Sequence, residues 1–142
     1  MFDVNELKKD TPRRKTVVIS CLEYKKGEEP TITFEITDDI RKKEKQLTAL
    51  YNRLVFEMSK RTEGTIKSDK LTYCQEMASL CVVSSQNLFS DGGKPAPHDK
   101  ELFNQALTRY PRLLKWFADA LTDVLNEDEG FVKEQEEEQG KN

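Results

Sequence analysis

The stretch 31-TITFEIT-37 decides how the chain begins to fold. Ile32, Phe34 and Ile36 fall on one face, and Thr31, Thr33, Glu35 and Thr37 fall on the other. Strict alternation of this kind is the period of a half-buried strand. Upstream, 16-TVVISCLEY-24 is rich in β-branched residues. Gly27 and Pro30 lie between the two runs, so the pair reads as a β-hairpin with a loop of about four to six residues. Two strands alone are marginal in water. The inward face must therefore rest on a later part of the chain.

The segment beyond Thr37 is helical in pattern. Thr37, Asp38 or Asp39 can cap a first helix. Ile40, Leu47, Leu50, Tyr51, Leu54 and Met58 then recur at helical spacing until Gly64 stops the run. A second helix is predicted from about Ser68 to about Asn87, with Leu71, Cys74, Met77, Ala78, Cys81 and Val82 as its stripe. The run 89-FSDGGKPAPHD-99 reads as a loop, since two Gly and two Pro fall within it. Leu102, Phe103, Ala106, Leu107 and Tyr110 form a third stripe; Leu113, Leu114, Phe117, Leu121, Val124 and Leu125 form a fourth. Pro111 separates them, because it breaks a helix interior yet suits a first turn. Gly130 closes the ordered part.

The expected fold class is therefore α+β, mainly α. An N-terminal β-hairpin packs on a bundle of about four helices. The expected domain boundaries are a flexible basic arm over 1–15, one α-rich domain over 16–130, and a disordered acidic tail over 131–142.

Composition limits what such a domain does. The chain has 142 residues, of which 36% are hydrophobic and 35% charged, against about 25% charged in an ordinary domain. The mean hydropathy of −0.75 places part of the chain outside any core. No apolar run reaches the roughly 20 residues of a membrane span, and 1-MFDVNELKKD-10 is not a signal peptide, so the expected location is cytoplasmic. Cys21, Cys74 and Cys81 form no metal-binding pattern. Cys74 and Cys81 sit about 10 Å apart along one helix, beyond disulfide reach, and read as small buried hydrophobes.

Catalysis finds few parts. His98 is the one histidine, placed at a helix start beside Asp99. Metal sites need several converging ligands, and 90-SDGGKPAP-97 lacks the spacing that cradles phosphate. Asp38 and Asp39 suit a helix N-terminus electrostatically. The reading is a non-enzyme without metal or cofactor.

Association is better supplied. The net charge of −3 divides unevenly: residues 1–26 hold seven Lys or Arg against four acids, and residues 127–142 hold seven acids against two Lys. Opposite ends favour head-to-tail contact between copies or attraction to a charged partner. The arm 8-KKDTPRRK-15 could meet nucleic-acid phosphates, although no aromatics are interleaved and the pI is 5.4. Trp116, Tyr73 and Phe56 lie off the main apolar stripes, and aromatics so placed are interface anchors. The edge of the hairpin, Thr16 to Tyr24, offers strand pairing between copies.

The whole layout, from the β-rich start TVVISCLEY and TITFEIT through a helical body to the charged end EGFVKEQEEEQGKN, resembles the tail assembly chaperones of long-tailed bacteriophages. The resemblance implies a small, mostly helical cytoplasmic protein that is not part of the finished virion. Such proteins coat the tape measure protein, a very long helical chain, and keep it soluble. A longer product, made by −1 ribosomal slippage near the end, recruits tail tube subunits. Slippage needs a heptamer of the form X XXY YYZ. Gln139-Gly140-Lys141 is compatible with G GGA AAA or G GGA AAG, and Gly140-Lys141-Asn142 with A AAA AAC. Residues 139–142 are accordingly the expected frameshift site. The family transfers no contact residue, so Phe56, Tyr73 and Trp116 rest on the physical reading alone.

Overall fold

The computed structural model describes the backbone of residues 1, 3, 11–57 and 63–140, and the side chains of 1, 3, 11–51, 69–134 and 137. Within them the chain is α+β and mainly α, as the periodicities predict. Strands β1 (Arg13–Val18) and β2 (Thr31–Ile36) precede helices α1 (Asp38–Glu57) and α2 (Glu63–Cys81). Three short strands come next: β3 (Val82–Gln86), β4 (Phe89–Asp91) and β5 (Lys94–Ala96). Helices α3 (Lys100–Arg109) and α4 (Pro111–Gly140) complete it.

The antiparallel sheet runs β1-β2-β3. Ile32, Phe34 and Ile36 are buried, as the alternation requires, and Phe34 stacks on Phe117 of α4 with ring centroids 5.8 Å apart. Phe117 in turn meets Phe103 of α3 edge-on at 5.6 Å. Met77, Cys74 and Cys81 bring α2 into the same core. Burying one such large apolar side chain is worth about 1.5–3 kcal/mol, so the sheet is held by its helical cover rather than by strand pairing. The opposite sheet face is polar, with Thr16 and Thr33 sharing a 2.9 Å hydrogen bond.

Several boundaries differ from expectation, each for a physical reason. The first strand begins at Arg13 and ends at Val18 instead of running from Thr16 to Tyr24, and residues 19–30 form the connection. The basic run 13–15 is thus strand, not arm. It is tolerated because each cation has an acid: Arg13 has Asp128, Arg14 has Glu35, and Lys15 has Glu127. The second helix stops at Cys81, not near Asn87, because Val82–Gln86 pairs with the free side of β2. A two-stranded sheet gains from a third strand more than α2 gains from another turn. Gly64 lies inside α2 rather than ending α1. The stretch read as a loop contains the β4–β5 hairpin, whose turn holds Gly92 and Gly93 at φ of 58° and 82°. Those angles are the reason for two glycines there.

The largest correction concerns the C-terminal end. Helix α4 passes through Gly130 and continues to Gly140, so residues 131–140 are helical rather than disordered. Glu, Gln and Lys are good helix formers, and Lys133 reaches Glu129 one turn back at 3.6 Å. Lys141 and Asn142 lie outside the described residues.

Local signals otherwise hold. Thr37 Oγ1 accepts from the Ile40 N–H, so Thr37 is the cap of α1. Asp99 caps α3 by accepting from Leu102 N–H at 2.9 Å. Tyr110 is extended (φ −118°, ψ 97°), the conformation that a following proline imposes, and α4 starts at Pro111.

Candidate partner-binding groove

Helix α1 carries more apolar surface than its neighbours cover. Its stripe includes Leu47, which is half-buried, and Leu50, which is 48% exposed. Leu80 of α2 faces them. Together they floor an open groove of about 670 Å³. Gln46 and Lys43 continue the α1 wall, Thr72, Gln75, Glu76 and Ser79 line the α2 wall, and Asn104 of α3 closes one side. Residues 43–50 and 72–80 each span about 11–12 Å by helical rise. The groove is therefore about two helical turns long. An apolar floor with polar walls at that length matches the leucines at i, i+4 and i+7 of an amphipathic helix.

The polar walls are organised by hydrogen bonds. The Gln75 side-chain amide donates to the Asn104 carbonyl at 3.1 Å and to Thr108 Oγ1 at 2.7 Å. Asn104 Nδ2 donates to Ser79 Oγ at 3.1 Å, and Lys100 Nζ donates to the Ser79 carbonyl at 2.7 Å. Lys43 pairs with Asp39 at 3.3 Å.

The aromatic residues singled out from sequence lie elsewhere. Tyr73 is half-buried between α1 and α2, where its hydroxyl donates to Glu44 Oε1 at 2.8 Å and its ring meets Tyr51 edge-on. Burial, then the Glu44 carboxylate, push the Tyr73 phenol well above its ordinary pKa. The Trp116 indole N–H donates to Ser20 Oγ at 3.1 Å, tying α4 to the β1–β2 connection. Each therefore has an internal role, and neither lines the groove. Phe56 falls in the last turn of α1, and its side chain lies outside the described residues. So does the frameshift question at Lys141 and Asn142, while Gln139 and Gly140 are in the last turn of α4.

Leu47 and Leu50 were legible only as members of the first helical stripe, and Leu80 fell outside the stripe read for the second helix. Leu47, Leu50, Tyr51 and Leu54 span about 100° around α1, the width of an ordinary core-facing stripe, so the sequence held no signal that part of it would stay uncovered.

The remaining chemistry is internal. Arg13 grips Asp128 with both ends of its guanidinium, Nε to Oδ1 and Nη2 to Oδ2 at 3.1 Å. Its Nη2 also reaches Asp38 at 3.1 Å, and Arg41 Nε lies 3.7 Å from Asp128. The described part of the basic arm is thus engaged with the chain's own acids. His98 sits between Phe89 and Phe103, with Nδ1 2.8 Å from Ser85 Oγ. Burial lowers its pKa. Burial raises the Cys74 and Cys81 thiols to about 11 and about 12, so both are protonated and unreactive near neutrality. Among the described residues, no cluster of His, Cys, Asp or Glu has metal-binding geometry, and no helix is long and apolar enough to cross a membrane.

No family model matches the chain, and comparisons with curated proteins and with solved structures return no match.

Proposed function

We propose that this protein is a non-catalytic cytoplasmic chaperone that shelters the apolar stripe of a long helical partner, in the manner of a phage tail assembly chaperone. The supporting observation is the two-turn apolar groove between α1 and α2, with Leu50 half exposed at its floor. A patch of this size buries only a few leucines, each worth about 1.5–3 kcal/mol when fully covered. Association itself costs several kcal/mol. One copy therefore holds weakly, whereas many copies along a repetitive partner coat it and still leave one at a time. Those are the requirements for covering a tape measure protein until tail tube subunits displace the coat.

The test is co-expression with a long amphipathic helical protein of the tape measure type. Wild-type protein is expected to raise its soluble fraction, and the double variant Leu47→Asp, Leu50→Asp is expected to lose that effect. An unchanged soluble fraction with a folded double variant rejects the groove as the binding surface. The frameshift part of the proposal is tested separately, by reading the codons for Gln139–Asn142. A slippery heptamer followed by an overlapping −1 frame supports a longer product, and a non-slippery sequence rejects it.

A further inference from the structure

Strand β1 is an end strand of the sheet, and among the described residues no backbone group hydrogen-bonds to its outer side. The register fixes which of its residues face that way. Ile19 N–H donates to the Pro30 carbonyl at 2.8 Å, in line with the pairs from Arg13↔Ile36 to Val18↔Thr31. Bonded and non-bonded pairs alternate along an antiparallel ladder. Arg13, Lys15 and Val17 therefore turn their N–H and C=O toward β2, and Arg14, Thr16 and Val18 turn theirs outward. The other end strand, β3, carries an extra residue, Val83, at the Thr33–Phe34 step. A bulge of that kind bends an edge strand and protects it from further pairing.

We infer that two copies of the chain associate edge to edge, β1 against β1, antiparallel and centred on Thr16, so that their three-stranded sheets become one. Only outward-facing residues can form bonded pairs, which leaves few registers. Centring on Arg14 sets Arg14 against Arg14, and pairing Arg14 with Thr16 sets Lys15 against Lys15; like charges so placed repel. Pairing Thr16 with Val18, or centring on Val18, leaves outward groups of Arg14 unused. Centring on Thr16 engages Arg14, Thr16 and Val18 of both copies, and each bonded pair exchanges two hydrogen bonds. Thr16 then faces Thr16 of the other copy and extends the Thr16–Thr33 hydrogen bond across the polar face. Arg14 faces Val18, which is 40% exposed, and its alkyl stem covers it. Basic residues on an edge strand ordinarily keep a second copy away. Here Asp128, Glu35 and Glu127 of the same chain already pair with Arg13, Arg14 and Lys15, and this register sets no two of those cations directly opposite. The inference does not depend on the groove.

The first measurement is sedimentation of the full chain over a concentration series. Wild type is expected to approach twice the 16.5 kDa chain mass. Thr16→Pro is expected to stay at one chain mass and to keep its circular dichroism, because it deletes an outward N–H and no bond to β2. Register is read by disulfide trapping in a Cys21→Ser background, since Cys21 is the one cysteine that is not buried. Thr16→Cys places two thiols across the two-fold axis with Cα atoms about 5.5 Å apart, within disulfide range. Val18→Cys leaves its two thiols four residues apart along the strands, about 14 Å. Oxidation is expected to cross-link the first variant about tenfold faster than the second, or more.

A wild type that is monomeric up to about 1 mM overturns the inference, as does a dimer that Thr16→Pro leaves intact. Equal trapping of Thr16→Cys and Val18→Cys, or trapping of neither, overturns it even if Thr16→Pro does not fold. A dimer that Leu50→Asp dissolves puts the second copy in the groove and overturns it too. The two readings fail separately: a Leu47→Asp, Leu50→Asp variant that still dimerises and still solubilises its partner rejects the groove and leaves the edge pairing standing.

Discussion

Asp128→Asn isolates what holds the C-terminal helix to the sheet. The Asp128 side chain is 5% exposed and accepts both ends of the Arg13 guanidinium, with Arg41 3.7 Å away. Asparagine keeps the shape but removes the charge and turns an N–H₂ toward the guanidinium's own donors. Charge-assisted hydrogen bonds are worth about 1.5–3 kcal/mol each. One is lost outright, and the other survives only in its weaker neutral form. Against this, the carboxylate no longer has to be desolvated, and Arg13, one-fifth exposed, regains some water. The net loss should be about 2–3 kcal/mol. At a urea m-value of about 2 kcal/mol/M, the midpoint falls by about 1–1.5 M. Far-UV circular dichroism and Trp116 fluorescence should report the same transition, as expected of a single domain of this size. A double-mutant cycle with Arg13→Gln should return a coupling of at least about 1 kcal/mol. Hydrogen exchange should show amides of residues 131–140 losing protection first, since Asp128 is the last buried side chain before them. A destabilisation below about 0.5 kcal/mol, within the range of an ordinary surface change, or zero coupling to Arg13, would refute the reasoning.

Further predictions concern single sites. Gly130→Ala should stabilise by about 0.5–1 kcal/mol in thermal unfolding, because Gly130 is inside α4 and an added Cβ meets nothing within 4 Å; a destabilised variant would mean that the helix does not pass through it. His98 has a lowered pKa through burial, so the unfolded chain binds the extra proton. Its contribution is intact above the ordinary value of about 6.5 and is lost as pH falls through that value toward the folded one. The stability difference between wild type and His98→Gln, measured by urea titration at about pH 8 and about pH 5, should shrink on acidification, and a constant difference would contradict the burial argument. Trp116→Phe should cost about 1 kcal/mol by removing the bond to Ser20 and leave the solubilisation of a tape-measure-type partner unchanged; a large loss of that effect would return Trp116 to the interface. Leu50→Asp should shift the thermal midpoint by only a few degrees, since half of that side chain is already in water, and a collapse of the fold would show that Leu50 is core.

Local order was written in the chain itself. Ile32, Phe34 and Ile36 alternate with polar residues, and only a strand puts all three on one face. Thr37 and Asp99 cap their helices with their own side chains, and Pro111 starts α4 because its φ and missing N–H suit a first turn. Such features depend on neighbours within a few residues, so sequence carries them in full. Tertiary structure decided the rest, because those outcomes depend on partners far along the chain. Val82–Gln86 is a strand because β2 has an open side, although the same residues continue a helical stripe. Arg13, Arg14 and Lys15 form a strand because Asp128, Glu35 and Glu127 are brought to them. The acidic end is anchored as helix at Asp128, 115 residues from the arginine that holds it. Leu50 is groove rather than core because no described helix covers that side of α1, and periodicity marks an apolar face without saying what, if anything, will lie against it.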